Sequence, residues 1–137
     1  MLGDDGLGGR TKRVAEASPY EVAFADTIGV GVPSQVSEIL GRATAALPGM
    51  RLRAHFHNTR NTGLANAYAA VEAGVSALDS SVGGIGGCPF APAATGNIPT
   101  EDLVYMLSRS GFQTGIDLDK LVTTTEWLQQ ALGRSVP

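Results

Sequence analysis

His55 and His57 flank a single phenylalanine in RLRAHFH, and they are the only histidines in 137 residues. On an extended strand, residues two apart project from the same face. Two neutral imidazoles side by side suit a divalent cation. The plainer alternative for an isolated pair is satisfied core or rim histidines. Further along, SVGGIGGCPF carries the only cysteine, Cys88, with four glycines in the six positions before it. A structural cysteine normally sits among bulky apolar side chains. Cys88 instead lies among residues with almost no side chains, beside backbone that can approach a ligand closely. Such a thiol can give or take a proton; a tolerated loop cysteine is the alternative. No Lys or His adjoins Cys88 to favour its thiolate, and a proton donor would not need one.

Asp26 and Asn97 complete the candidate set. Asp26 ends EVAFAD, where an aspartate could orient a ligand group or move a proton; its plainer role is to cap the following turn. Asn97, in ATGNIPTED, offers an amide oxygen that a hard cation accepts. Spacing alone favours a turn or capping role for it. The glycine runs GLGG and GVGVP lack the strand context, the lysine and the spacing of phosphate loops.

These side chains need elements to hold them. EVAFAD (21–26), RLRAHFH (51–57) and VSALDSSV (75–82) read as strands. Pro33 suits the first turn of a helix that carries Val36, Ile39, Leu40, Ala43 and Leu47 at helical spacing. Leu64, Ala67, Tyr68 and Val71 mark the next helix, with Gly74 at its C′ position. Thr100 is expected as the N-cap of a third helix, with Glu101 and Asp102 in its first turn. Asp117 caps a last helix to about Leu132, expected to bury Leu118, Leu121, Leu128 and Leu132. The first nine residues read as a flexible or foreign lead-in, and 11–17 as a short helix ended by Pro19, so that 1–18 precede the domain proper.

Strand, loop and helix thus alternate three times, and one further helix follows. Short helical crossovers require parallel strands with helices packed outside. The chemistry-bearing residues follow the strands, at the C-terminal ends where such sheets hold ligands. The expected fold class is α/β, a partial TIM barrel: the last three βα units plus a C-terminal helix. A closed barrel needs eight strands and about 250 residues, so three strands leave unpaired edges. A homo-oligomer or a missing N-terminal half should cover them.

Composition narrows the partners. The net charge is −3, the apolar fraction 43%, and ten basic residues form no long run. Nucleic acid is therefore not an expected partner. No apolar run approaches the roughly 20 residues that span a bilayer, so no membrane is expected either. The acidic start lacks a secretory h-region, and one cysteine forms no internal disulfide. A reducing, cytoplasmic setting is the expectation.

Together the segments ADTIGVG, HFHNT, LANAYAAVEAGV, DSSVGGIGGCPF and TGNIPTEDLVYML resemble the C-terminal half of 3-hydroxy-3-methylglutaryl-CoA lyases, metal-dependent (β/α)8-barrel enzymes. The resemblance runs from about Tyr20 to Leu132, and the GGCP loop is its most specific marker. It implies that His55, His57 and Asn97 ligate a divalent metal, Mg2+ or Mn2+. It implies that Cys88 is the catalytic cysteine of a glycine-rich lid and that Asp26 stands near the substrate hydroxyl. The implied reaction is retro-Claisen cleavage of an acyl-CoA to acetyl-CoA and acetoacetate, as in leucine degradation and ketone-body formation. The family's first strand brings an Asp-Arg pair and its second an acidic residue; neither strand has a counterpart here. The chain alone should therefore be little active. The alternatives are a non-catalytic, self-associating remnant and a related aldolase or acyl-CoA condensing enzyme. Arg53 shares the parity of the histidines, and a buried guanidinium would be costly unpaired; its partner is expected in the missing half.

Overall fold

A computed structural model describes residues 4–87 and 96–136. Among these residues five helices and three strands follow one another: α1 (Asp4–Ala15), β1 (Glu21–Asp26), α2 (Pro33–Ala46), β2 (Arg51–Phe56), α3 (Gly63–Glu72), β3 (Ala77–Asp79), α4 (Thr100–Arg109) and α5 (Leu118–Leu132). A 3-10 turn, Val82–Gly84, follows β3. The strands form one open sheet in the order β1-β2-β3, and both pairings are parallel. This is the expected partial barrel.

The period of two along the strands divides the molecule. Val22, Leu52, Ala54 and Phe56 are buried, packed with Val36, Leu40 and Ala43 of α2 and Ala67 and Ala70 of α3. The odd-numbered residues face the other way. Ala23 and Ala25 are exposed there, beside half-exposed Arg53 and His55. In a closed barrel that second face would be the interior, buried like the first.

Close approach around the end of β2 demands glycine. A Cβ on Gly29, whose φ is +66°, would come within 2.9 Å of the His57 Cβ and carbonyl oxygen and 2.6 Å of Thr59 Oγ1. A Cβ on Gly63 would lie 2.4 Å from Ile98 Cγ2 and 3.1 Å from the His57 carbonyl. The two glycines let neighbouring segments close over His57.

Several elements differ from their sequence-based expectation. Helix α1 starts at Asp4 rather than residue 11, taking in much of the glycine-rich lead-in. Its packing on α2 and its buried Thr11 supply stability that local propensity does not. Strand β3 is short; beyond it the chain turns, and Ser81 N donates to the Ile98 carbonyl instead. Pro99, not Thr100, occupies the N-cap of α4. Thr100 ties that helix to the end of β3, through its N–H to the Ser81 carbonyl (2.9 Å) and its hydroxyl to Ser80 (2.9 Å). Leu118, Leu121 and Leu128 of α5 are only half-buried, and Leu132 is exposed. Among the described elements, that helix packs mainly on α4 and the 3-10 turn.

Gly63→Ala should lower stability by about 1–3 kcal/mol, the range for overpacking, because the methyl meets both a buried side chain and fixed backbone. A urea melt of the chain reads this as a lower midpoint with an unchanged slope.

Candidate active site

The C-terminal end of β2 gathers the expected ligands. His55 lies on the strand and His57 one residue beyond it, their rings 5.0 Å apart between centroids and edge-on. His57 is buried and His55 half-exposed. Asn97 joins them through an isolated antiparallel bridge to His57, next to a hydrogen bond from Asn58 N to the Gly96 carbonyl at 3.2 Å. The Asn97 amide is oriented: its Nδ2 donates to the Ile85 carbonyl at 3.0 Å. A Cβ at Gly86 would come within 2.8 Å of that Nδ2, so only glycine fits there.

This orientation leaves Asn97 Oδ1 buried and without a partner among the described residues, as are His57 Nδ1, Thr59 Oγ1 and Asn66 Oδ1. Buried polar atoms are seldom left unpaired, since each costs its full desolvation. Two such atoms on bridged residues, with His55 alongside, fit a cation bound by nitrogen and oxygen donors. Among the described residues, no three His, Cys, Asp or Glu side chains form a metal-holding group. The donors that the structure brings together here are those of His55, His57 and Asn97.

Asp26 is placed differently. Its Oδ1 accepts from Gly29 N (3.1 Å) and Val30 N (3.3 Å), and its Oδ2 from Gly31 N (2.8 Å). It lines a cavity of about 270 Å³ with Phe24, Gln35 and Phe56, on the helix-covered side of the sheet. The capping role of an aspartate at a strand end is realised here. No described hydrogen bond joins it to the histidines. The loop it caps is held from its far end as well: the Gly31 carbonyl accepts from Thr62 Oγ1 and Asn66 Nδ2, both at 2.9 Å. Sequence reading passed over Thr62 and Asn66. Their signal was two polar residues four apart at the start of α3, on the face turned to this loop.

Arg53 corrects another expectation. Its partners lie within the chain, not beyond it: Nε donates to Glu21 Oε1 at 2.6 Å and Nη1 to Asp79 Oδ1 at 2.5 Å. The hydrogen bond to Glu21, then that to Asp79, pushes the guanidinium pKa still higher. The other Asp79 oxygen, Oδ2, lies 3.7 Å from His55 Nδ1. Cys88 lies outside the described residues. The segment leading to it is anchored where Gly83 N donates to both Glu101 oxygens, at 2.9 and 3.0 Å, and Glu101 also accepts from the Thr125 hydroxyl.

A parallel sheet with outer helices, with two histidines at the end of its middle strand and an asparagine bridged to them, has the architecture of part of an α/β barrel. Residues 5–128 match the HMGL-like family, and the chain belongs to it. It is 48% identical over 117 residues to (R)-citramalyl-CoA lyase of Chloroflexus aurantiacus, covering 85% of this chain and 37% of that protein. It is 44% identical over 124 residues to human mitochondrial hydroxymethylglutaryl-CoA lyase, covering 90% and 38%. The structure superimposes with a TM-score of 0.91 and 39% identity on an HMG-CoA lyase of Acinetobacter baumannii in complex with coenzyme A and 3-methylmalate, covering 98% of this chain and 44% of that one. The Bacillus subtilis HMG-CoA lyase gives a TM-score of 0.89 at 36% identity, covering 100% and 46%. The chain thus spans less than half the length of these relatives.

Asp26→Ala should destabilise the ligand-free chain by about 0.5–2 kcal/mol, as for loss of a capping carboxylate. Denaturant melts without substrate or metal measure this. An unchanged midpoint would show that the carboxylate does not hold its loop.

Proposed function

We propose that this chain is the metal-ligand and cysteine-bearing part of a hydroxymethylglutaryl-CoA lyase-like carbon–carbon lyase. The observation that carries the proposal is the unpaired, buried pair of Asn97 Oδ1 and His57 Nδ1. In this reading His55, His57 and Asn97 hold a divalent cation, Mg2+ or Mn2+. When bound, the cation supplies Lewis acidity toward the substrate's hydroxyl and carboxyl-side oxygens. The chain's own residues do the rest. Asp26, Thr62 and Asn66 fix the loop after β1 at the rim of the site. The glycine loop brings Cys88 to the carbon that carries the electron pair after the C2–C3 bond breaks. Its thiol, or a water it holds, protonates that carbon to give the methyl group of acetyl-CoA. Glu101 anchors the root of this loop to α4 and α5.

The family's Asp-Arg strand is supplied by an upstream half or by another chain, which also covers the inner face and the strand edges. A related lyase acting on (R)-citramalyl-CoA is the second reading, favoured by the higher identity to the Chloroflexus protein.

The chain alone, with Mg2+ or Mn2+, should release acetyl-CoA from 3-hydroxy-3-methylglutaryl-CoA at no more than background rate. Co-expressed with the N-terminal half of the Bacillus subtilis relative, it should turn over. Cys88→Ala should then cost about 10²–10⁴-fold, the range for a positioned proton donor. Offering (R)-citramalyl-CoA in the same assay separates the two substrates. Full activity of the complemented Cys88→Ala variant would sink the role given to the thiol.

A further inference from the structure

The geometry points to Asp79 as a positioning residue for His55, clamped in that task by Arg53. This inference rests on the reading of His55 as a metal ligand. The parallel register sets Asp79 directly opposite His55, and Arg53 one pleat deeper opposite Ala23 and Ala77. All three side chains share the face that the helices leave open. Glu21 takes the Arg53 Nε at 2.6 Å, and Asp79 takes Nη1 at 2.5 Å. A planar guanidinium held through two nitrogens cannot swivel without losing both bonds. Asp79 is thereby fixed through Oδ1, and its Oδ2 is left facing His55 Nδ1 at 3.7 Å.

A carboxylate beside one ring nitrogen stabilises a proton there. The other nitrogen then carries the lone pair, and the ring is turned to present it. That is how outer carboxylates set the tautomer and orientation of ligating histidines. For His55 this places the proton on Nδ1 and leaves Nε2 for the ligand. Among the described residues no carboxylate pairs with His57; it is held by burial and by the close backbone of Gly29 and Gly63. The two histidines are thus prepared by different means. Asp79 is itself no ligand in this arrangement, because one oxygen is bonded to Arg53 and the other faces the imidazole across 3.7 Å. Without Arg53 a free Asp79 carboxylate could swing toward the cation and compete with the histidine.

The test uses the 15N-labelled chain and two readouts. Long-range 1H–15N spectra of the metal-free protein, taken well above the imidazole titration range, identify the tautomer of each histidine. His55 should be the Nδ1–H form, and Asp79→Ala should move it toward Nε2–H while His57 stays unchanged. Mn2+ titration followed by electron paramagnetic resonance should show affinity about 10–100-fold weaker in Asp79→Ala, the usual cost of losing an outer-shell partner. Arg53→Met should shift both readouts in the same direction, and Arg53→Lys should recover part of the loss. Wild-type His55 in the Nε2–H form overturns the proposal even if a variant fails to fold. So does an Asp79→Ala protein with the wild-type tautomer and Mn2+ affinity. Equal Mn2+ affinity in wild type and His55→Ala would instead remove the metal reading, while the tautomer still decides the role of Asp79.

Discussion

The alternation along Arg51–Phe56 is the constraint on which the site depends. Leu52, Ala54 and Phe56 lie under α2 and α3, where they form the centre of the buried apolar cluster. Once they do, Arg53 and His55 are forced onto the opposite face, with His57 continuing the series. A slip of one residue would drive a guanidinium and an imidazole into an apolar interface and expose three core residues. Burial under the helices therefore fixes the register. The register in turn sets His55 between Ala25 and Asp79. Hydrophobic packing on one face is what aims the chemistry on the other.

That second face is strongly polar for a sheet surface. Glu21, Arg53 and Asp79 form a charged chain across all three strands, with the cation in the middle. While the face is open, water screens the charges and the pairs stabilise little. If the face is covered, each charge loses hydration and only its paired geometry compensates. An arrangement with every Arg53 contact made inside the chain tolerates such covering. An Arg53 waiting for a partner from elsewhere would not.

Most of the scaffold was legible in the sequence. The strand parity, Pro33 at the head of α2 and Asp117 at the head of α5 each have a local cause, and local causes are visible in local sequence. His55, His57 and Asn97 were legible as types, and the structure brings them together. What escaped reading depends on partners far along the chain. Glu21 and Asp79 bind Arg53 from separate strands, so their role exists only after the sheet has formed. Thr100 looked like a cap, but Ser80 and Ser81 claim it once β3 ends nearby. The leucines of α5 followed a helical pattern, yet periodicity reports which face is apolar and not what lies against it. For Asp26 the local signal, a capping aspartate at a strand end, matches the three backbone N–H groups it accepts from.

The unpaired atoms and the open face have a common physical meaning. Ala23 and Ala25 are exposed where a closed barrel would bury them, so whatever covers β1 must present small or apolar side chains. Beyond the end of β2, Asn97 Oδ1 and His57 Nδ1 lack partners among the described residues, so the proposed cation site asks for a donor from whatever reaches the strand tips. The two requirements lie on one face and follow one strand direction, apolar low and oxygen-bearing high. A single inward-facing parallel strand, with small residues below and a carboxylate at its C-terminal end, would meet both. A second copy of this chain could offer Ala23 and Ala25 in the same parity, but its β1 ends in Asp26, whose carboxylate is already held by three backbone N–H groups. Under the proposed lyase reading, the complement of this face is therefore a strand whose tip still has an oxygen donor to give.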